Sequence, residues 1–151
     1  MSNAVVRLAG VFVRDIPLSQ AMGVQVLSWQ ERQLRLQFPL APNINHQASM
    51  FGGSMYCAAV LAGWGWLHLA LLEEGIDTTH IVVQSGQIDY PRPIVHEQII
   101  ALCDAPEERI WQRFLATYRK HGKARLQLVS RVLTEEGEDG AVLTGQFVLH
   151  S

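Results

Sequence analysis

The chain has 151 residues, a length typical of one domain, and a formal net charge of −2. Lysine and arginine are scattered without any run, so the charge pattern gives no support for nucleic-acid binding. Cys57 and Cys103 lie far apart with no CxxC pair, which favours a reduced, cytoplasmic setting. We therefore expect residues 1–151 to form one cytoplasmic domain that binds no nucleic acid.

The first predicted elements are a short helix and a pair of strands. Pro17 suits a first helical turn and Gly23 is a stop signal, so we predict a helix within residues 17–22. Residues 24–29 and 33–40 alternate apolar with polar side chains, which predicts two paired strands. The next ten residues, "APNINHQASM", show no periodicity and are predicted to form a loop.

The longest apolar stretch covers residues 50–74, and no Asp, Glu, Lys or Arg occurs between Asn43 and Glu73. About 20 apolar residues are enough to cross a bilayer. However, neither end carries the basic residues that mark a membrane-spanning helix, and the rest of the chain reads as strands that need a core. We therefore predict a helix buried on all sides and no membrane span.

The elements after this helix are a strand over residues 80–93, a strand over 98–106, a helix over 108–122, and a hairpin of strands over 124–133 and 141–150. Runs of strands separated by helices predict an α+β fold with a largely antiparallel sheet. Strict alternation along the first of these strands would place five side chains on one face: Ile81, Val83, Ser85, Gln87 and Asp89.

The order of "FGGSMYCAAVLAGW" and "SGQIDYPRPI", after a strand pair and an Asn-containing loop, resembles that of hotdog-fold thioesterases. The glycine pair is similar to the HGG turn of acyl-CoA thioesterases, and "DYPRP" is similar to a strand-end pattern of the same superfamily. The likeness covers about residues 16–150 and is strongest to the YiiD C-terminal type of thioesterase domain.

This resemblance implies a hotdog fold, in which a curved sheet wraps one long central helix. It also implies a homodimer, or a dimer of dimers, that acts on acyl-CoA or acyl-carrier-protein thioesters in fatty acid metabolism. We expect neither a metal nor a cofactor.

The glycine pair is the first candidate for catalysis. Backbone N–H groups at a helix start are unpaired, and the helix dipole favours negative charge there. Glycines let a substrate carbonyl approach that backbone closely. We predict that Gly53 polarises the thioester carbonyl and that Gly52 and Ser54 contact the substrate. The alternative is that the pair only permits close packing.

The loop before the helix supplies Asn45 and His46. The spacing of Asn45 from Phe51 resembles that of the loop asparagine in related thioesterases, and His46 could act as a base or position a water. Both side chains could instead satisfy loop backbone groups.

The chain departs from the family pattern at two places. Phe51 occupies the position of the HGG histidine, and Val60 or Leu61 lies where relatives carry an Asp or Glu. A base would therefore come from His46, from Asp89 or from a partner chain. A thioester-binding module without hydrolysis, associated with an acetyltransferase, and a hotdog hydratase or dehydratase stay open as alternatives.

Three further residues are candidates for binding the substrate. Ser85 and Gln87 would line the thioester site, and Arg92 could meet a phosphate of the CoA or carrier-protein arm. The alternatives are a solvated or dimer-facing strand for the first two, and an exposed cation without a specific partner for Arg92.

Overall fold

The computed structural model describes residues 3–151, and its elements from residue 17 onward follow the predicted order. Its helices are α1 (Asn3–Asp15), α2 (Pro17–Ala21), α3 (Gly52–Glu73) and α4 (Glu108–His121). Its strands are β1 (Gln25–Gln30), β2 (Gln33–Pro39), β3 (Ile81–Asp89), β4 (Gln98–Cys103), β5 (Lys123–Leu133) and β6 (Asp139–His150). The predicted α+β class is confirmed.

The strands form one six-stranded sheet in the order β1-β2-β4-β5-β6-β3, and every neighbouring pair is antiparallel. In β5, buried and exposed side chains alternate strictly over residues 123–130, as expected for a strand with one face on the core. The edges of the sheet are β1 and β3. Because β3 follows α3 directly, one edge of the sheet lies beside the long helix.

Helix α3 is the centre of the core, and every residue from Leu61 to Leu71 is buried. The helix contacts β2, β3, β4, β5 and β6, so the sheet wraps around it. Among residues 3–151, α3 has the length and composition to cross a membrane, but 78% of its most apolar window is buried inside the protein. The prediction of a core helix is confirmed.

Helix α1 was missing from the prediction. Its buried residues lie at helical spacing, at Val5, Leu8, Val11 and Phe12. Leu8 and Phe12 pack on α3 at Gly65, where a Cβ would lie 2.9 Å from Leu8 Cδ2. The first helix therefore covers the part of α3 that the sheet leaves open.

The faces of β3 differ from the prediction because the strand contains a β-bulge. Its register against β6 shifts between Val83 and Ser85, which leaves Gln84 as the extra residue. Ile81 and Val83 pair with buried residues of β6, whereas Ser85 and the residues at alternate positions after it pair with its outward-facing ones. The prediction that all five side chains share one face was wrong, since one extra residue inverts the alternation.

Candidate active site

The start of α3 presents unpaired backbone donors at the protein surface. Phe51 precedes the helix in an extended conformation and makes no capping bond with its side chain. The Met55 N–H donates to the Phe51 carbonyl at 3.0 Å. The N–H groups of Gly52, Gly53 and Ser54 donate to no backbone or side-chain acceptor in the described part of the chain, and Gly53 is exposed. The first turn can therefore stabilise negative charge on a bound oxygen.

The side chain of Tyr90, just after β3, lies beside this turn. Its hydroxyl donates to the Gly52 carbonyl at 2.9 Å, and a Cβ at Gly52 would lie 3.6 Å from the ring. Burial, followed by the nearby Tyr56 and Cys57, raises the pKa of Tyr90, so its phenol stays protonated and acts as a donor. Tyr90 was not among the predicted site residues, although it lies next to Asp89 in "DYPRP".

Tyr56 connects the second turn of α3 to β3. Its hydroxyl occupies the space that a side chain at Gly86 would need, so this strand position requires a glycine. Cys57 lies next to Tyr56, and burial raises the pKa of its thiol. The neutral thiol is a poor nucleophile. This environment therefore does not favour Cys57 as a nucleophile.

The segment before α3 is a small hairpin rather than an irregular loop. The Phe51 N–H donates to the Asn43 carbonyl at 2.7 Å, Ile44 and Met50 form an antiparallel bridge, and the Asn45 N–H donates to Ser49 O at 2.8 Å. This hairpin ends where α3 begins.

Asn45 uses its side chain inside the tip of this hairpin. Its Oδ1 accepts the N–H groups of Gln47 at 2.9 Å and Ser49 at 3.1 Å, which is the geometry of an Asx turn. His46 is exposed and lies at the hairpin tip, three residue pairs from the start of α3. At roughly 3.3 Å per pair, this corresponds to about 10 Å along the hairpin. Among residues 3–151, neither side chain forms a hydrogen bond with the first turn of α3, and the catalytic roles of Asn45 and His46 stay predictions.

The remaining predicted residues lie on other surfaces of the same chain. Ser85, Gln87 and Asp89 are exposed on the face of β3 that points away from α3. Arg92 is bound to the β5–β6 turn, where Nη1 donates to the Asp139 carbonyl at 3.0 Å and Nη2 pairs with Glu138 at 3.4 Å. Their binding roles also stay predictions.

The open edge of β3 borders the helix start and carries exposed apolar side chains. β3 pairs with β6 on one side, and all its residues from Val82 to Gln87 are exposed. Phe51 is 56% exposed, Tyr90 46% and Val83 39%. An unprotected edge strand beside an apolar patch is typical of a surface that another chain covers.

Comparisons with known proteins agree with this architecture. The model of the family described as "Putative thioesterase (yiiD_Cterm)" matches residues 6–151. This chain belongs to that family. Among solved structures, a protein of unknown function from Chlorobaculum tepidum TLS is 33% identical over 97% of this chain and 94% of its own, with a TM-score of 0.90. A "putative thioesterase" from Shewanella oneidensis is 28% identical over all of both chains, with a TM-score of 0.87.

The fold is therefore the hotdog fold of these thioesterases, as the sequence resemblance implied. In this member of the YiiD C-terminal family, α3 has no carboxylate before Glu73. Val60 is half-buried and Leu61 is buried about two turns after Gly53. The site thus offers hydrogen-bond donors from the backbone, and any ionised base would have to come from outside α3.

Proposed function

We propose that the protein hydrolyses acyl thioesters of CoA or of acyl carrier protein, with the carbonyl oxygen held by the amides of Gly52, Gly53 and Ser54. The observation that carries this proposal is the exposed, unpaired first turn of a helix that is otherwise buried. Membership of the thioesterase family supports the same reaction.

In the proposed reaction, a water oxygen adds to the thioester carbonyl carbon and the carbonyl oxygen becomes negatively charged. The amides at the start of α3 stabilise this oxyanion; a single such donor is worth about 10²–10³ in rate. The C–S bond then breaks, the thiolate takes up a proton, and the products are a carboxylic acid and a free thiol.

In the proposed reaction, the base comes from a second copy of the chain. In one chain, His46 lies at the hairpin tip and Asp89 points away from α3. We propose that a homodimer forms along the open edge of β3, or assembles further into a tetramer, and that the second copy brings His46 or Asp89 to the thioester. Asn45 would then orient the water, while Ser85, Gln87 and Arg92 would contact the pantetheine and phosphates.

A thiol-release assay tests the proposal, using acetyl-, octanoyl- and palmitoyl-CoA together with the matching carrier-protein thioesters. Gly53→Pro removes one N–H without breaking a helix bond, because proline is tolerated in the first turn. Gly52 has no Cβ to clash with the new ring. We expect kcat to fall about 10²–10³-fold. Gly53→Ala keeps the N–H and should lose much less.

The same assay separates the alternatives. If the wild type binds a non-hydrolysable thioether analogue but releases no thiol from any substrate, the protein is a binding module. The lack of a carboxylate in α3 before Glu73 favours this alternative. Addition of water to an enoyl thioester without thiol release would indicate a hydratase. A hydratase would need His46 and Asp89 to form a pair. Among residues 3–151 of one chain, no hydrogen bond or ion pair joins these two side chains.

His46→Ala, Asn45→Ala and Asp89→Ala each test one predicted catalytic side chain. Loss of a general base typically lowers kcat by about 10²–10⁴. If all three variants keep the wild-type kcat, the base lies elsewhere.

A further inference from the structure

We propose that Asn43 is the positioning residue of the active site, since it holds the first turn of α3 in the orientation that the amides need. This inference rests on the proposed function for its kinetic test, and on the hydrogen bonds of Asn43 for its geometry. Asn43 was not among the predicted site residues. It lies at the end of the 3₁₀ turn Ala41–Asn43, two residues before Asn45.

Asn43 connects several segments of the chain from one buried position. Asn43 is buried, with only 1% of its surface exposed. The Nδ2 group donates to the carbonyl of Met22 at 2.9 Å, just after α2, and to that of Pro39 at 2.8 Å, at the end of β2. Its own carbonyl accepts the Phe51 N–H at 2.7 Å. One side chain and one carbonyl therefore fix the helix start relative to α2 and the sheet.

Apart from the Tyr90 hydroxyl, which donates to the Gly52 carbonyl at 2.9 Å, the helix start has little other polar support. Phe51 makes no side-chain cap, so the bond from its N–H to Asn43 is the contact directly before the helix. The neighbouring Met50 N–H donates to the Ile94 carbonyl at 2.8 Å, which fixes the hairpin on its other side. Loss of the Asn43 bond would let the first turn rotate about Met50, whereas the buried part of α3 would stay in place.

The chemistry of the side chain agrees with a role as a donor. Asn43 Oδ1 is buried and accepts no hydrogen bond in the described part of the chain. A buried unpaired acceptor is unfavourable, so the two bonds donated by Nδ2 must account for the presence of an amide at this position. Asn45, by contrast, uses its side chain within the hairpin tip.

Backbone substitution at Phe51 tests the link without altering Asn43. Phe51→Pro removes the N–H that Asn43 accepts, and the φ of −61° at Phe51 already suits proline. Phe51→Ala removes the same ring but keeps the N–H, and is the matched control. With the fastest substrate among acetyl-, octanoyl- and palmitoyl-CoA, we expect kcat of the proline variant to be roughly 10–100-fold below that of the alanine variant. KM should be nearly equal in the two.

A second pair of variants tests the side chain. Asn43→Ala is compared with Ser19→Ala, because Ser19 is also buried. Its hydroxyl donates to Ile16 O at 2.6 Å, with Phe12 O as a second acceptor at 3.2 Å, and it has no hydrogen bond to the hairpin among residues 3–151. In Asn43→Ala, amide exchange at Phe51, followed by NMR, should be roughly tenfold faster than in Ser19→Ala. Its kcat should fall as in Phe51→Pro.

Equal kcat in the two Phe51 variants would overturn the inference, as would equal exchange at Phe51 in the two alanine variants. If Asn43→Ala does not fold, the Phe51 pair decides whether the bond to the Asn43 carbonyl positions the helix start. If the wild type releases no thiol, the proposed function fails, and the exchange measurement alone decides whether Asn43 positions the helix start.

Discussion

The two ends of α3 belong to one continuous helix but meet different environments. From Leu61 to Leu71 every residue is buried. Over the first nine residues, only Met55, Ala58 and Ala59 are buried; Gly53 is exposed, and the others are half-buried. The buried part has its backbone paired within the helix, whereas the first turn leaves three N–H groups unpaired.

The difference shows how this fold separates stability from chemistry. The buried part holds large side chains, such as Trp66, that contact other elements on all sides. The first turn contributes small residues and open amides, which add little to the core but can bind an oxyanion. Substitutions in the buried part should therefore change stability, and substitutions in the first turn should change turnover.

The largest effect on stability is expected for Trp66→Ala. Trp66 is fully buried and donates from Nε1 to the Arg32 carbonyl at 2.7 Å. Its ring packs edge-on against that of Trp111, with 5.3 Å between the ring centroids. Its loss should lower the free energy of unfolding by about 3–5 kcal/mol, measured by urea denaturation. Phe51→Ala, at the exposed end, should change it by less than about 0.5 kcal/mol. Equal losses would contradict the division between the two ends.

The next largest effect should come from a methyl group added at Gly63. A Cβ there would lie 2.6 Å from Phe147 Cζ, and both residues are buried. Overpacking of this kind costs about 1–3 kcal/mol, which exceeds the gain in helix propensity. Gly52→Ala is the matched control, because its Cβ would meet the Tyr90 ring at an ordinary 3.6 Å. The same thermal or urea unfolding measurement should find Gly52→Ala no less stable than wild type.

Acid should weaken the buried part through His68. The ring stacks on Trp64, Nδ1 lies 2.8 Å from the Thr78 carbonyl, and Nε2 is buried without a partner among residues 3–151. Burial lowers the pKa of His68 below its ordinary value of 6.5. The unfolded chain therefore binds a proton at higher pH than the folded protein does. Stability should fall as the pH drops below 6.5.

Charges around His68 also change its pKa, but burial has the largest effect and the pKa stays lowered. Arg7 and Arg14 of α1 lower its pKa further, while the bond to Thr78 and the charge of Asp77 raise it. Urea unfolding at a series of pH values measures the effect, and His68→Gln should make the curve flatter. An unchanged pH dependence in that variant would assign the loss to other groups.

The smallest effect is expected for Arg7→Ala. Arg7 of α1 pairs with Asp77, which follows α3, and both side chains are largely exposed. Exposed ion pairs are worth about 0.2–1 kcal/mol, so the variant should unfold only slightly earlier, and less so at high salt. A loss as large as that of Trp66→Ala would mean that α1 is held mainly by this pair rather than by Leu8 and Phe12.

Most of the elements and the core could be predicted from the sequence, because they follow from periodicity along the chain. The apolar run of α3, the alternation in β5 and the helical spacing in α4 each indicate an element without knowledge of its neighbours. The glycine pair at the helix start could also be found in this way. α1 has the same kind of spacing and could have been predicted.

The side chains that surround the helix start could not be predicted from the sequence, because they come together only when the sheet folds around α3. The bulge at Gln84 inverts the faces of β3, and the local sequence of the strand does not predict this bulge. Tyr90 reaches Gly52 across 38 positions of sequence, and Asn43 reaches Met22 across 21. Contacts of this kind arise from the folding of the sheet around α3, so the residues next to Asn43 in the sequence do not indicate that its side chain joins α2 to β2.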